Sequence, residues 1–218
     1  MQRKAVYMDY SKCRLFDGLE RSQSEELLRM CGARSRAFAK GEVVLHEGEI
    51  VTDFCIVESG MLEGVRYLID GSRDVAAVFS EGDVFGDVLA VSGTQRAPVT
   101  IAANGESVVL FVPFECFFKC CGSDASARAL RNLIQCISDK YFDLNFRLSC
   151  ISCKTLRDKV LFYLQTVSRH SREPFNIPLD REALADFLRI DRSALSRELS
   201  KLKREGIIDY YKNTFKIL

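Results

Sequence analysis

The stretch Leu179-Asp180-Arg181-Glu182-Ala183-Leu184-Ala185-Asp186-Phe187-Leu188-Arg189-Ile190-Asp191-Arg192-Ser193-Ala194-Leu195-Ser196-Arg197 spells two short helices and the turn between them. Asp180 has the short carboxylate that caps a first helix, and Leu184 and Leu188, four apart, share one of its faces. Ala185 is small where two helices cross closely, Ile190 fills the turn, and Asp191 caps the second helix. Leu195, Leu199 and Leu202 form the buried stripe of that second helix, leaving Arg192, Ser193, Ser196 and Arg197 on the opposite face of its first two turns. A helix carrying arginines at its N-terminal end suits the major groove, where a guanidinium takes guanine O6 and N7 together and a serine hydroxyl serves either base type. Lys201, Lys203, Arg204 and Lys212 are spaced for phosphates, which fix register without reading sequence. The competing reading is a plain three-helix domain with a solvated charged face.

The flanks extend this pattern. Gly206 ends the second helix, and Ile207–Tyr211 with Thr214–Ile217 predicts a small β-hairpin. Upstream, Leu156 to Leu164 has helical periodicity, followed by a loop containing Pro174 and Pro178. Residues 154–218 carry 14 Lys and Arg against 9 Asp and Glu, although the 218-residue chain as a whole is nearly neutral at 31 against 30. The tail alone is therefore suited to a polyanion.

Before the tail, Leu130, Ile134, Ile137, Tyr141, Leu144, Leu148 and Ile151 alternate spacings of four and three, with no Gly or Pro among them. That a/d seam predicts a long helix whose Leu130, Ile134, Ile137, Tyr141, Leu144 and Leu148 form a homodimer interface. Leu133, Cys136 and Phe142 widen the stripe, so the helix is also expected to dock on the preceding domain.

From about residue 38 to 115 the texture is β. Gly41, Gly48, Gly60, Gly71, Gly82, Gly93 and Gly105 punctuate the apolar segments Val43–Leu45, Phe54–Val57, Val75–Phe79, Val99–Ile101 and Val108–Val112. Such spacing predicts a sandwich or barrel of jelly-roll type, with Asp70-Gly71 and Asn104-Gly105 supplying positive φ in tight hairpins. Ser22–Arg29 predicts a short helix capped by Ser22 or Ser24.

At this point the tail resembles the winged helix-turn-helix of the cyclic-AMP receptor / fumarate–nitrate regulator superfamily of bacterial transcription factors. Phe38-x-x-Gly41-Glu42-x-x-x-x-Glu47-Gly48 and Ile56-Val57-x-Ser59-Gly60 resemble the first strands of its cyclic-nucleotide-binding-like domain, and the likeness spans about residues 14–218. It implies an α+β chain: an effector domain over 1–122 with a β jelly roll, a dimerisation helix over 123–152, and a winged helix-turn-helix over 153–218. It further implies that Arg192, Ser193, Ser196 and Arg197 contact bases, that the chain pairs as a homodimer on double-stranded DNA in the cytoplasm, and that RNA polymerase joins its partners. The family's phosphate-binding cassette corresponds to Phe85-Gly86-Asp87-Val88 followed by Arg96-Ala97, which makes Gly86, Asp87, Val88, Arg96 and Ala97 the implied effector site. Asp87 is one methylene shorter than the usual glutamate, and Pro98 stiffens the turn after the arginine. A cyclic nucleotide, another anionic or apolar small molecule, and no ligand remain three alternatives, and no cofactor is implied with certainty.

Several classes are excluded or disfavoured. No apolar run reaches the roughly 18 residues of a membrane span, and no secretory signal is visible. Two histidines, His46 and His170, cannot build an oligo-imidazole metal centre, and a cupin-type enzyme would find only His46 on its barrel. Only Cys13 and Cys31 fall in the first forty residues, so the N-terminal cysteine cluster that holds an iron–sulfur centre in the fumarate–nitrate branch is absent. Cys116-x-x-x-Cys120-Cys121 and Cys150-x-x-Cys153 read as small buried apolar residues, with redox or metal sensing as the alternative. No catalytic constellation is expected.

Overall fold

A computed structural model of the chain describes residues 9–67, 73–92, 96–120, 122–169 and 173–218. The chain forms two compact units, Met1–Ser138 and Asp139–Leu218.

In the first unit, two short 3-10 turns lead into α1 (Arg21–Met30). The strands β1 (Arg34–Phe38), β2 (Val43–Leu45), β3 (Asp53–Ser59), β4 (Met61–Tyr67), β5 (Arg73–Ser80) and β6 (Val84–Phe85) follow. Then come α2 (Asp87–Ser92), β7 (Thr100–Ala103), β8 (Ser107–Pro113) and α3 (Phe114–Lys119). The strands make two antiparallel four-stranded sheets, ordered β1-β8-β3-β6 and β2-β7-β4-β5. Period-two alternation sends Cys55 and Val57 of β3 toward Leu62, Ile101 and Ala103 of the opposite sheet. Phe54 and Ile56 of the same strand face Leu27, Leu28, Phe117 and Leu133. With both faces covered, β3 reads in sequence as a continuous apolar run and not as an alternating one.

Several expectations are corrected here. Val99–Ile101 becomes Thr100–Ala103, while β1 and β4 lie in stretches such as Arg34-Ser35-Arg36 and Leu62-Glu63-Gly64 that lack an apolar run. Asn104-Gly105 does not close a hairpin within one sheet: β7 and β8 belong to different sheets, and Gly105 is not among the glycines with positive φ. Asp70-Gly71 and Gly93 lie outside the described residues. The α1 cap is Glu20, whose N–H donates to Gln23 Oε1 at 2.9 Å in a reciprocal capping box, while Ser24 is buried inside the helix and donates its hydroxyl to the Glu20 carbonyl.

Gly60 turns the chain from β3 into β4 at φ +88°, and a Cβ there would collide with Ser107 Oγ and the Glu106 carbonyl. Because the clash is partly with backbone, Gly60→Ala is expected to destabilise the chain by about 2 kcal/mol or more, seen as a lower urea midpoint with an unchanged slope.

The helix α4 (Asp124–Ser152) begins in the first unit and ends in the second. Its Ala129, Leu133 and Cys136 are buried in the first unit's core, with Leu130 and Ile137 packed at that core's margin. Of the expected seam, Ile134, Tyr141, Leu144 and Leu148 stay 48 to 60% exposed, and neighbouring Phe142 is 66% exposed.

The second unit contains α5 (Leu156–Val167), β9 (Phe175–Asn176), α6 (Arg181–Leu188), α7 (Arg192–Arg204), β10 (Ile208–Tyr211) and β11 (Thr214–Ile217). The predicted hairpin pairs Ile208 with Ile217 and Tyr211 with Thr214, and β9, read from sequence as loop between two prolines, adds a third strand beside β11. The core gathers Val160, Tyr163 and Leu164 of α5 with Leu184 and Leu188 of α6. Leu195, Leu199 and Leu202 of α7 and Phe215 of β11 complete it. Among the described residues no helix is long and apolar enough to cross a membrane.

Candidate nucleic-acid interface

The α6–α7 pair takes its shape from local chemistry. Asp180 Oδ1 accepts from the N–H groups of Glu182 and Ala183 at 3.0 and 2.9 Å, fixing the start of α6. Arg189 then adopts the left-handed conformation at φ +53° and the Ile190 N–H donates back to the Ala185 carbonyl at 3.0 Å, ending α6 in a tight left-handed cap. Asp191 Oδ1 opens α7 by accepting from the Ala194 N–H at 2.9 Å and from the Ser193 hydroxyl at 2.5 Å, and these bonds hold its carboxyl below the usual aspartate range.

With Leu195, Leu199 and Leu202 fully buried, the opposite face of α7 is committed to solvent, and Arg192, Ser193, Ser196 and Arg197 are all exposed. The Arg197 guanidinium rests on Ser193 Oγ at 3.2 Å, and Ser196 donates to the Arg192 carbonyl at 3.0 Å. Hydroxyl and guanidinium therefore start from weak intrahelical bonds that a base edge can replace. Lys201 and Arg204 are exposed further along the helix. Lys203, also spaced for a phosphate, pairs with Asp209 at 2.6 Å and donates to the Tyr210 carbonyl at 3.1 Å, because the hairpin folds back onto the end of α7. Lys212 sits at the hairpin tip at φ +51°, exposed. Two residues escaped sequence reasoning. Arg157 of α5 pairs with Glu198 of α7 at 3.5 Å and with Glu205, just past its last residue, at 2.5 Å, pinning α7 at its middle and end. Arg181 packs beneath the hairpin.

In the first unit, Gly86 (φ +71°) turns β6 into α2, placing Asp87 at the helix start, 4% exposed, and Val88 in solvent. The Arg96 side chain is exposed and its Nη1 donates to the Gly48 carbonyl at 2.7 Å. The Ala97 N–H donates to the Glu49 carbonyl at 2.9 Å, while the Gly48 N–H returns a bond to the Ala97 carbonyl. Gln95 and its two predecessors lie outside the described residues.

The family model described as cyclic nucleotide-binding domain matches residues 35–124, and the one described as Crp-like helix-turn-helix domain matches residues 159–218, in that order along one chain. The chain belongs to the cyclic-AMP receptor / fumarate–nitrate regulator superfamily. The transcriptional activator protein FnrL of Cereibacter sphaeroides is 24% identical over 202 residues, covering 86% of this chain and 78% of FnrL. The nitrogen fixation regulation protein FixK of Bradyrhizobium diazoefficiens is likewise 24% identical, over 90% of this chain and 81% of FixK. The fold matches that of the Thermus thermophilus catabolite activator protein at a TM-score of 0.57 and 19% identity, covering 94% and 93% of the two chains. As a superfamily member the chain is a transcriptional regulator with an effector-domain fold and a helix-turn-helix DNA-binding domain.

Within this cassette the Ala97 N–H is hydrogen-bonded to the Glu49 carbonyl and Asp87 is buried, while Val88 and Arg96 are exposed.

The cysteines divide by burial. Cys13, Cys31, Cys55, Cys136 and Cys150 are buried, Cys120 and Cys153 are half-buried, Cys116 is exposed, and Cys121 lies outside the described residues. None of the described cysteines is in a disulfide, and no group of metal-ligating side chains among the described residues could hold a metal ion. Burial pushes the Cys13 thiol up to about 12 and the Cys150 thiol up to about 11, leaving both protonated and unreactive at neutral pH. Brief native-state alkylation followed by mass spectrometry is therefore expected to label Cys116 and spare Cys13 and Cys150. Labelling of Cys150 as fast as Cys116 would restore the redox reading.

Proposed function

We propose that the chain is a homodimeric, sequence-specific DNA-binding regulator, cytoplasmic, with an effector domain over 1–122, a dimerisation helix over 123–152 and the winged helix-turn-helix over 153–218. The observation that carries it is the capped α7, whose buried leucine stripe leaves Arg192, Ser193, Ser196 and Arg197 together on its solvent face. Arg192 and Arg197 read bases, the two serines adjust to either base type, and Lys201 and Lys212 take phosphates. The exposed stripe Ile134, Tyr141, Leu144 and Leu148 on α4, continued by Leu130 and Ile137, pairs two copies, so that two α7 helices address successive major grooves. The effector is a small molecule that engages the edge formed by Gly86–Val88 and Arg96–Ala97. Exposed Arg96 favours an anionic group, and binding shifts the balance between two dimer arrangements by contacting them unequally. Once bound at its promoter, the dimer meets RNA polymerase.

Selection of bound fragments from a pool of random duplexes tests this directly. A two-fold-related motif is expected, its half-sites about one helical turn (~34 Å) apart, with affinity falling steeply as salt rises. Recovery of no shared motif would overturn the reading.

A further inference from the structure

We infer that Arg181 is a positioning residue for DNA binding: it locks the hairpin tip so that Lys212 meets a phosphate beside the groove addressed by α7. The inference rests on the DNA-binding reading above and extends it to a residue with no exposed role of its own.

Arg181 is the first residue of α6, yet its side chain reaches the hairpin. Its Nη2 donates to the Lys212 carbonyl at 2.7 Å, and its guanidinium carbon lies 5.1 Å from the Tyr210 ring centre and 4.9 Å from that of Phe215. Nη1 is buried and finds no acceptor among the described residues, so the two ring faces are what it rests on. Burial draws the Arg181 pKa below the usual arginine value, but a guanidinium keeps its charge. One nitrogen spent on a carbonyl and the other buried leave Arg181 without the open fork that grips a phosphate. Asp180 and Glu182, both exposed, flank it and repel an anion further.

The group it holds is different. Lys212 occupies the left-handed region, which a side chain seldom adopts unless its surroundings impose it. The two-residue loop Lys212-Asn213 between the paired Tyr211 and Thr214 imposes it, and two bonds hold the loop's carbonyls: Arg181 to that of Lys212, and the Ile177 N–H to that of Asn213 at 3.0 Å. The same tip forms one wall of an open cleft of about 730 Å³, with Arg181 of α6 and its capping Asp180, Arg192 of α7 and Asn176 of β9 on the others. The clamp therefore sets how far Lys212 stands from Arg192. A phosphate bound by the first and a base read by the second depend on that separation.

The test is the salt dependence of binding to a duplex selected by the wild-type chain, for Lys212→Gln, Arg181→Gln, the double variant and Arg181→Lys. Each single glutamine variant is expected to lower the slope of log affinity against log salt by about 2 for the dimer on its two-fold site, about 1 per protomer, and the double variant by the same amount and not by about 4. Arg181→Lys keeps the charge but not the planar stack and is expected to behave as Arg181→Gln does. A slope change of about 4 in the double variant, no change in Arg181→Gln, or a wild-type slope in Arg181→Lys would overturn the positioning role. If Arg181→Gln loses its thermal transition, Arg181→Lys against wild type decides alone. Absence of salt-dependent binding by the wild-type chain would instead remove the DNA-binding reading, and this role with it.

Discussion

Arg197→Ala is expected to weaken binding at each half-site by about 1–3 kcal/mol and to relax preference at one base pair, the range of a bidentate arginine–guanine contact. A dimer carries the change twice, so the loss at a two-fold site is compounded. Stability should hardly move, because Arg197 is exposed and its one intrahelical bond, to Ser193 Oγ at 3.2 Å, is solvent-accessible. Arg197→Lys should not restore the lost preference, since an ammonium has no planar fork to match O6 and N7. Competition of the selected duplex against single-base variants, at one fixed salt concentration, measures the effect. Unchanged discrimination in Arg197→Ala would mean that α7 does not read the groove with this side chain.

Leu144→Glu is expected to convert the dimer to monomer and to abolish binding to the two-fold site. Leu144 is 58% exposed within the single chain, so its replacement removes little intrachain packing. What it would remove is intermolecular burial. A fully covered leucine contributes about 1.5–3 kcal/mol, the two-fold axis doubles that, and a carboxylate in its place must be desolvated against an apolar seam. Gln135→Glu, exposed and off the seam, is the matched control and should leave the dimer intact. Sedimentation velocity reads both outcomes. A Leu144→Glu chain that remains dimeric would place the interface elsewhere.

The face of α7 was legible residue by residue, because its determinants are local. Asp180 and Asp191 cap the helices through bonds spanning two or three residues, and Leu195, Leu199 and Leu202 mark the buried stripe by spacing alone. On α4 the exposed stripe Ile134, Tyr141, Leu144 and Leu148 was legible from spacing as well, whereas Leu130 and Ile137 pack at the margin of the first unit's core, which a heptad does not express.

Chain order and periodicity thus determined by themselves the two kinds of domain, the long helix between them and the solvent face of α7, since caps and stripes act within one or two turns of backbone. Only the tertiary structure decided which polar groups are spoken for. Lys203 goes to Asp209, the Ala97 N–H to Glu49 across the β domain, and Arg181 to the carbonyl of Lys212, 31 residues away. A donor's partner over such separations depends on where the folded backbone returns. Neither residue type nor spacing records that return, so a lysine that stays free for a phosphate and one held by an aspartate look alike until the chain closes.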